Sequence, residues 1–229
     1  MSLPAAREIV HAFIDFLFPP ACPVCGGTVE PENYICTGCK GIVTEQALYY
    51  HSQVRHIENV QDISILLPYD ATCRCLVHHL KYHNMPTLGL VLGDLLARKY
   101  CRSYPIQHTP YLVPVPLHPE KQHERGYNQS EKLAEGFASL TGWEIRTDLL
   151  ARLRHTGTQT ALDQDQRAEN VKNAFSYRGT NLLAGHPVII IDDVMTTGST
   201  LSECAGALHA GGAGAISVCV VATPDIGAD

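Results

Sequence analysis

At 229 residues the chain is long enough for one sizeable core and a small appendage. It carries 45% hydrophobic and 17% charged residues, the composition of a soluble globular protein. The formal net charge is -6, with eight Lys/Arg against nine Asp/Glu in residues 1–110 and nine against fourteen in residues 111–229. Neither half is basic, which disfavours a protein whose main work is gripping duplex DNA and leaves room only for a local basic patch.

No apolar run approaches the roughly 20 residues of a membrane span. The N-terminus lacks the basic start, apolar middle and small-residue cleavage site of a signal peptide. Nine cysteines, four of them in two CxxC pairs, fit a reducing cytoplasm and a metal site better than a disulfide framework.

Residues 5–18 place Ile9, Phe13, Phe16 and Leu17 on one helical face, and Pro19-Pro20 end the helix. It reads as a helix packed on its own domain. Its polar face has too few Lys/Arg to attract anionic lipid strongly, although membrane contact stays open. Cys22-Pro-Val-Cys25 and Cys36-Thr-Gly-Cys39 follow. Each CxxC forms a tight turn that points two thiolates at one ion, with Gly26 and Gly38 relieving the backbone. Cys22, Cys25, Cys36 and Cys39 together complete a tetrahedral site, read as a small structural zinc ribbon; four buried free thiols are the alternative. With all four positions filled by protein, no place is left for a reactive water. Residues 40–62 read as a polar connection.

From residue 63 the chain changes character. Residues 63–67 are a predicted strand, and 71–83 a helix carrying Arg74, His78, His79, Lys81, Tyr82 and His83. The His-rich run has no matching carboxylate or spaced Cys pair, so it reads as a solvated face or an anion-facing patch. Cys73 and Cys75 are spaced poorly for metal and read as packing. A second helix begins at Pro86 and runs to about residue 100. Residues 111–116 (YLVPVP) form a strand whose alternate prolines cost ladder donors, so it belongs at a sheet edge or ends at a special turn. The loop 117–128 holds Lys121, His123, Arg125, Gly126, Tyr127 and Asn128, and a helix over 130–140 spaces Leu133, Ala134, Phe137 and Leu140 for burial. Another strand is predicted at 143–150. The polar stretch 151–179, with a helical piece at 163–175, is long for a plain connection and reads as a lid.

The last βαβ step holds the chemistry. Val188-Ile189-Ile190-Ile191 is a strand buried on both faces, and Asp192-Asp193 sit where it is expected to end. Met195-Thr-Thr-Gly-Ser-Thr200 makes a hydroxyl-rich turn into a helix over 199–210, ended by Gly211-Gly212 before a strand at 215–221. Such a turn lies at the carboxyl edge of the sheet, where a helix N-terminus offers N–H groups to a phosphate. The two acids cannot serve a phosphate, since like charges repel; they suit sugar hydroxyls or a divalent cation.

The stretch 188–200 resembles the phosphoribosyl-pyrophosphate (PRPP) motif of type I phosphoribosyltransferases. Together with the CxxC…CxxC ribbon, Leu80-Lys-Tyr-His83, Val113-Pro-Val-Pro-Leu-His118, Arg125-Gly-Tyr-Asn-Gln-Ser130 and RAENVKNAF at 167–175, it makes the chain resemble the ComF (GntX-like) family over residues 14 to 222. The resemblance implies an α/β fold, with a mostly parallel sheet flanked by helices and covered by a hood, plus a small N-terminal zinc ribbon. It divides the chain into residues 1–50 (helix and ribbon) and 51–229 (phosphoribosyltransferase-like). Asp192 and Asp193 would meet the ribose hydroxyls, directly or through Mg²⁺, and Thr196, Thr197, Gly198, Ser199 and Thr200 would wrap the 5′-phosphate. Lys121, Arg125, Tyr127 and Asn128 would hold the diphosphate, with Lys81 and Tyr82 reaching the same anion, and 154–167 would be the hood.

The resemblance also implies a cytoplasmic role in natural competence, DNA uptake or DNA use, with single-stranded DNA and other competence proteins as partners. Two functions stand side by side. One is phosphoribosyl transfer from PRPP to a base or amine; the other is a non-catalytic adaptor that binds a nucleotide or single-stranded DNA through the same cradle.

Overall fold

A computed structural model describes residues 21–29, 34–51, 56–153, 174–180 and 182–224. The expected N-terminal helix, the hood at 154–167 and the helical piece at 163–175 lie outside, or largely outside, these residues. The described residues form the strands β1 (Asp62–Pro68), β2 (Tyr111–Pro114), β3 (Leu150–Arg152), β4 (Phe175–Tyr177), β5 (Val188–Val194) and β6 (Ile216–Thr223). The helices are α1 (Thr37–Tyr49), α2 (Ala71–Tyr82), α3 (Pro86–Ser103), α4 (Pro119–Arg125), α5 (Gln129–Thr141) and α6 (Ser199–Ala210).

A four-stranded parallel sheet runs β1-β6-β5-β2, and β3 pairs with β4 in a separate antiparallel ribbon. Both faces of the parallel sheet are covered, which explains the unbroken aliphatic runs of β5 and β6. Ile189, Ile191, Cys219 and Val221 face a core built with α1, α2, α3 and α5. Val188, Ile190, Val218 and Val220 face a second core built with α6, Leu150 and Phe175. The ribbon residues Cys22, Val29 and Ile35 belong to the first core. None of the described helices is long and apolar enough to cross a membrane.

The YLVPVP strand lies at a sheet edge, as its prolines require. Tyr111 and Val115 donate inward to Pro187 and Ile191, whereas Pro114 and Pro116 take the outward parity, where no neighbouring strand needs a donor. Four expectations need correction. Residues 37–49 are a helix rather than part of a polar connection; its buried face is only Cys39, Val43 and Ala47, too thin a stripe for the periodicity to stand out. Gly38 sits in the first turn of that helix with no left-handed φ, unlike Gly26 at φ 72°. Residues 143–150 are not one strand: Ile145 makes a single bridge to Leu112, and β3 begins only at Leu150. Trp143 instead packs against Phe137 and Tyr100, and Arg146 forks onto Asp148. Finally, Leu133, Ala134 and Phe137 are buried, but Leu140 is 40% exposed.

Helices α3 and α5 cross so closely that glycine is required at their contact. A Cβ on Gly93 would stand 2.1 Å from Leu133 O, and one on Gly136 would stand 2.1 Å from Leu90 O. An alanine in a helix gains about 1 kcal/mol over glycine, but forcing a methyl into a packed backbone costs about 1–3 kcal/mol or more. The clash is with main chain, which cannot swing aside. Gly136→Ala is therefore expected to destabilise the protein by about 2 kcal/mol or more, read as a lower urea midpoint at unchanged slope.

Candidate functional site

The connection after β2 builds α5 against the first core, whereas the connection after β5 builds α6 against the second. Adjacent parallel strands whose connections leave to opposite faces open a crevice at their carboxyl ends. Every oxygen-bearing residue predicted for the sugar and 5′-phosphate lies at that edge.

Strand β5 continues through both acids to Val194, further than its aliphatic run suggests. Because successive side chains of a strand point to opposite faces, Asp192 and Asp193 diverge. Asp192 accepts a hydrogen bond from Ser130 Oγ at 2.8 Å, and Asp193 pairs with Lys81 Nζ at 2.9 Å. Burial first, then the charge of Asp193, push Asp192 up to about 7, against the hydroxyl of Ser130. Burial works to lower Lys81, but the charge and hydrogen bond of Asp193 outweigh it and hold the lysine above its ordinary value. Asp193 Oδ2 is buried and has no hydrogen-bond partner among the described residues. An orphaned carboxylate oxygen costs free energy unless a ligand satisfies it. A sugar hydroxyl or a water on Mg²⁺ fits that position, so the acid pair suits the cation the family resemblance implies.

Beyond Val194 the chain turns through Met195, Thr196, Thr197 and Gly198 into α6. Gly198 is the N-cap at φ 81° and brings no capping side chain, while Ser199 N donates to Thr197 Oγ1 at 3.4 Å. A Cβ there would also press on Ile57 at 3.3 Å. Thr197 Oγ1 lies 2.8 Å from Ser199 Oγ, and Thr196, Thr197, Ser199 and Thr200 are half-buried, open enough to meet a ligand.

The predicted diphosphate residues separate into two groups. Lys81, Tyr82, Lys121 and Arg125 line one cavity of about 520 Å³, together with Asn84, His123, Glu124 and Gly126. The loop 117–128 is not irregular throughout: His118 caps the short helix α4, which carries Lys121 and ends at Arg125. Arg125 lies over the exposed Tyr82 ring at 5.6 Å. Tyr127 and Asn128 do not line the cavity. Tyr127 is buried and donates its hydroxyl to Leu80 O, while Asn128 caps α5, donates to Val115 O and accepts from Ser130 N. Both hold the loop in place rather than reaching an anion.

Ser130 and Arg152 are site residues that the sequence reading did not single out. Ser130 is fully buried and fixes Asp192, though in sequence it reads as an ordinary helix start. Arg152 ends β3, and its pKa is lowered by burial against the opposing charge of Asp192.

At the other end of the first core, Cys22, Cys25, Cys36 and Cys39 offer sulfur atoms all within 4.8 Å of one another. Cys25 Sγ and Cys36 Sγ are 3.7 Å apart, close to the roughly 3.8 Å edge of a tetrahedron with 2.3 Å zinc–sulfur bonds. The N–H groups of Gly27 and Cys39 donate to Cys25 Sγ and Cys36 Sγ at 3.4 Å each, which favours thiolate. The donor set fits structural zinc.

Two measurements follow from this geometry. Metal analysis should find about one zinc per chain, lost in Cys22→Ser/Cys39→Ser together with a large drop in melting temperature. Asp192 supplies a pH dependence. A carboxyl raised to about 7 in the folded state contributes stability that is complete below its unfolded value near 4 and is lost as pH rises through 7. Urea unfolding should show the wild type less stable at about pH 7.5 than at about pH 5, with Asp192→Asn removing most of that difference.

Residues 128–228 match the Phosphoribosyl transferase domain and residues 13–47 the Double zinc ribbon domain. The chain is 31% identical over 200 residues to the DNA utilization protein YhgH of Salmonella typhimurium, spanning 86% of this chain and 87% of that protein. It is 28% identical over 200 residues to Competence protein F of Haemophilus influenzae, with 80% and 87% covered. It is 24% identical over 188 residues to Competence protein ComFC of Bacillus subtilis, with 82% and 70% covered. A zinc-ribbon sulfur cluster, a phosphoribosyl transferase domain and alignment along most of both chains lead to one conclusion: this chain belongs to the ComF family.

Proposed function

We propose that this protein binds PRPP, with Asp192 and Asp193 toward the ribose, Thr196–Thr200 around the 5′-phosphate, and Lys81, Lys121 and Arg125 toward the diphosphate. The observation that carries the reading is the orphaned Asp193 Oδ2, buried beside a hydroxyl-lined helix N-terminus and a cationic cavity. An acid is needed where a sugar lies, and cations where charge leaves. In the reaction, the bond from C1 to the diphosphate oxygen breaks and the diphosphate keeps the electron pair. A base or amine nitrogen then forms its bond to C1 and loses a proton. The ring gains positive charge in the transition state, which the acid pair stabilises, while Lys81, Lys121 and Arg125 stabilise the departing anion. Mg²⁺ held through Asp192 and Asp193 would add further countercharge to the departing anion.

The names of the relatives, DNA utilization and competence proteins, support a role for this chain in DNA utilisation or competence. A second reading, a nucleotide- or single-strand-binding adaptor without turnover, draws on the exposed Tyr82 ring beside three cations, since any base has a face that can stack.

Calorimetry with PRPP and Mg²⁺ should show binding that Asp192→Asn/Asp193→Asn abolishes; no heat with the intact protein would overturn the PRPP reading. A screen for pyrophosphate release against bases, amines and DNA fragments separates the two functions. Release with one acceptor class establishes the transferase. PRPP binding without release, alongside single-strand affinity that falls steeply with salt, establishes the adaptor.

A further inference from the structure

The ammonium of Lys81 serves two places at once. It stands 2.9 Å from Asp193 Oδ1, and the same residue lines the cavity shared with Lys121 and Arg125. Its side chain is 23% exposed, against 5% for Asp193, so the acid side of the pair is closed and the cavity side open. A lysine is a compact charge on a flexible four-carbon stem and can move between two acceptors without rebuilding the backbone. The backbone around it is fixed: Leu80 O accepts from the Tyr127 hydroxyl, and Leu80 is fully buried.

Two ligands compete for this one pair. An anion in the cavity, already facing Lys121 and Arg125, attracts the third ammonium away from Asp193. Asp193 Oδ2 is open to one hydroxyl of a sugar diol, but Oδ1, the acceptor next to it, is occupied by Lys81 together with Val194 N, so the diol meets only half of the carboxylate. Each ligand is disfavoured while the pair is closed and favoured once it opens. Ligands that select the same minor state help each other bind.

We propose that the Lys81–Asp193 ion pair is an interlock: it withholds Asp193 Oδ1 from the sugar while the cavity is empty, and its opening makes binding of the diphosphate group and the sugar mutually dependent. This rests on the PRPP reading above. An enzyme or carrier built this way holds intact PRPP better than either half separately, and hydrolysed fragments do not block it.

The test uses the two halves as separate probes, without metal: ribose 5-phosphate for the sugar side and inorganic pyrophosphate for the cavity. In the wild type, saturating pyrophosphate should tighten ribose 5-phosphate binding about tenfold, within the usual range of coupling between two sites. In Lys81→Met the tightening should vanish, and affinity should hold level or fall, because two anions then meet without the lysine between them. Lys81→Met/Asp193→Asn leaves no unpaired buried charge; it should behave in the same way and serves if the single variant is unstable. Tightening that persists in Lys81→Met overturns the interlock, as does independent binding of both probes to the wild type. If PRPP with Mg²⁺ gives heat but neither probe binds the wild type, alone or with the other at saturation, the interlock is overturned and the PRPP reading stands; if PRPP gives no heat either, the PRPP reading fails and the interlock with it.

Discussion

A strand buried on both faces cannot treat two adjacent carboxylates alike, and that constraint organises the site. Once β5 runs through Asp192 and Asp193 instead of stopping before them, the two acids diverge and each meets a different partner. Asp193 takes a countercharge from α2, whereas Asp192 is made hard to ionise by burial and by the charge of Asp193, which the Ser130 hydroxyl only partly offsets. The chain thus sets an acid held in an ion pair beside one that burial makes reluctant to ionise. A water-exposed pair would present two nearly equivalent charges instead.

Keeping these partners in register requires a stiff frame. The glycine contacts lock α3 to α5, and the N-terminus of α5 carries Ser130 to Asp192. The same turn uses Asn128 to tie the chain back to Val115 at the end of β2, so the strand that closes one side of the crevice and the helix that positions the acid move together. Helix α2 is held near both ends. Gln46 donates to its capping residue Asp70 and Cys75 Sγ donates to Pro23 O between two ribbon cysteines, while Lys81 meets Asp193 at the far end. A zinc site with no room for substrate is therefore joined by one helix to the residue that guards the acid pair.

Much of this was legible in the sequence because its signals are local. Four consecutive aliphatics, two acids and a hydroxyl turn state strand, edge and helix in thirteen positions, and two CxxC pairs state a metal site by spacing alone. The elements that escaped are those fixed by distant contacts. Helix α1 has a thin buried stripe and starts inside a metal turn, so periodicity could not reveal it. The span 143–150 looks like a strand by composition, yet Trp143 is drawn into the core and Arg146 folds onto Asp148. Tyr127 and Asn128 sit among cations in sequence but turn inward in space, because whether a loop residue faces ligand or scaffold depends on partners as remote as Leu80. Ser130 shows the reverse: a residue ordinary in sequence becomes a site residue because its helix starts opposite β5.

A net charge of -6 runs against the proposed binding of a polyanion. Range decides otherwise. At physiological salt, exposed charges are screened beyond about 8 Å, so acids scattered over the surface contribute little at the crevice. What an anion meets there is Lys81, Lys121 and Arg125, with Glu124 opposing them at the cavity wall. Lys81 is largely cancelled by Asp193 until it is released, so the cavity's pull on an anion is modest at first and grows as the ligand settles. An acidic surface with a small, conditionally cationic cavity discriminates against long stretches of duplex DNA, which need many simultaneous phosphate contacts. A compact polyanion that also carries a sugar is the ligand the proposed interlock would favour, because it offers a group to each side of the ion pair.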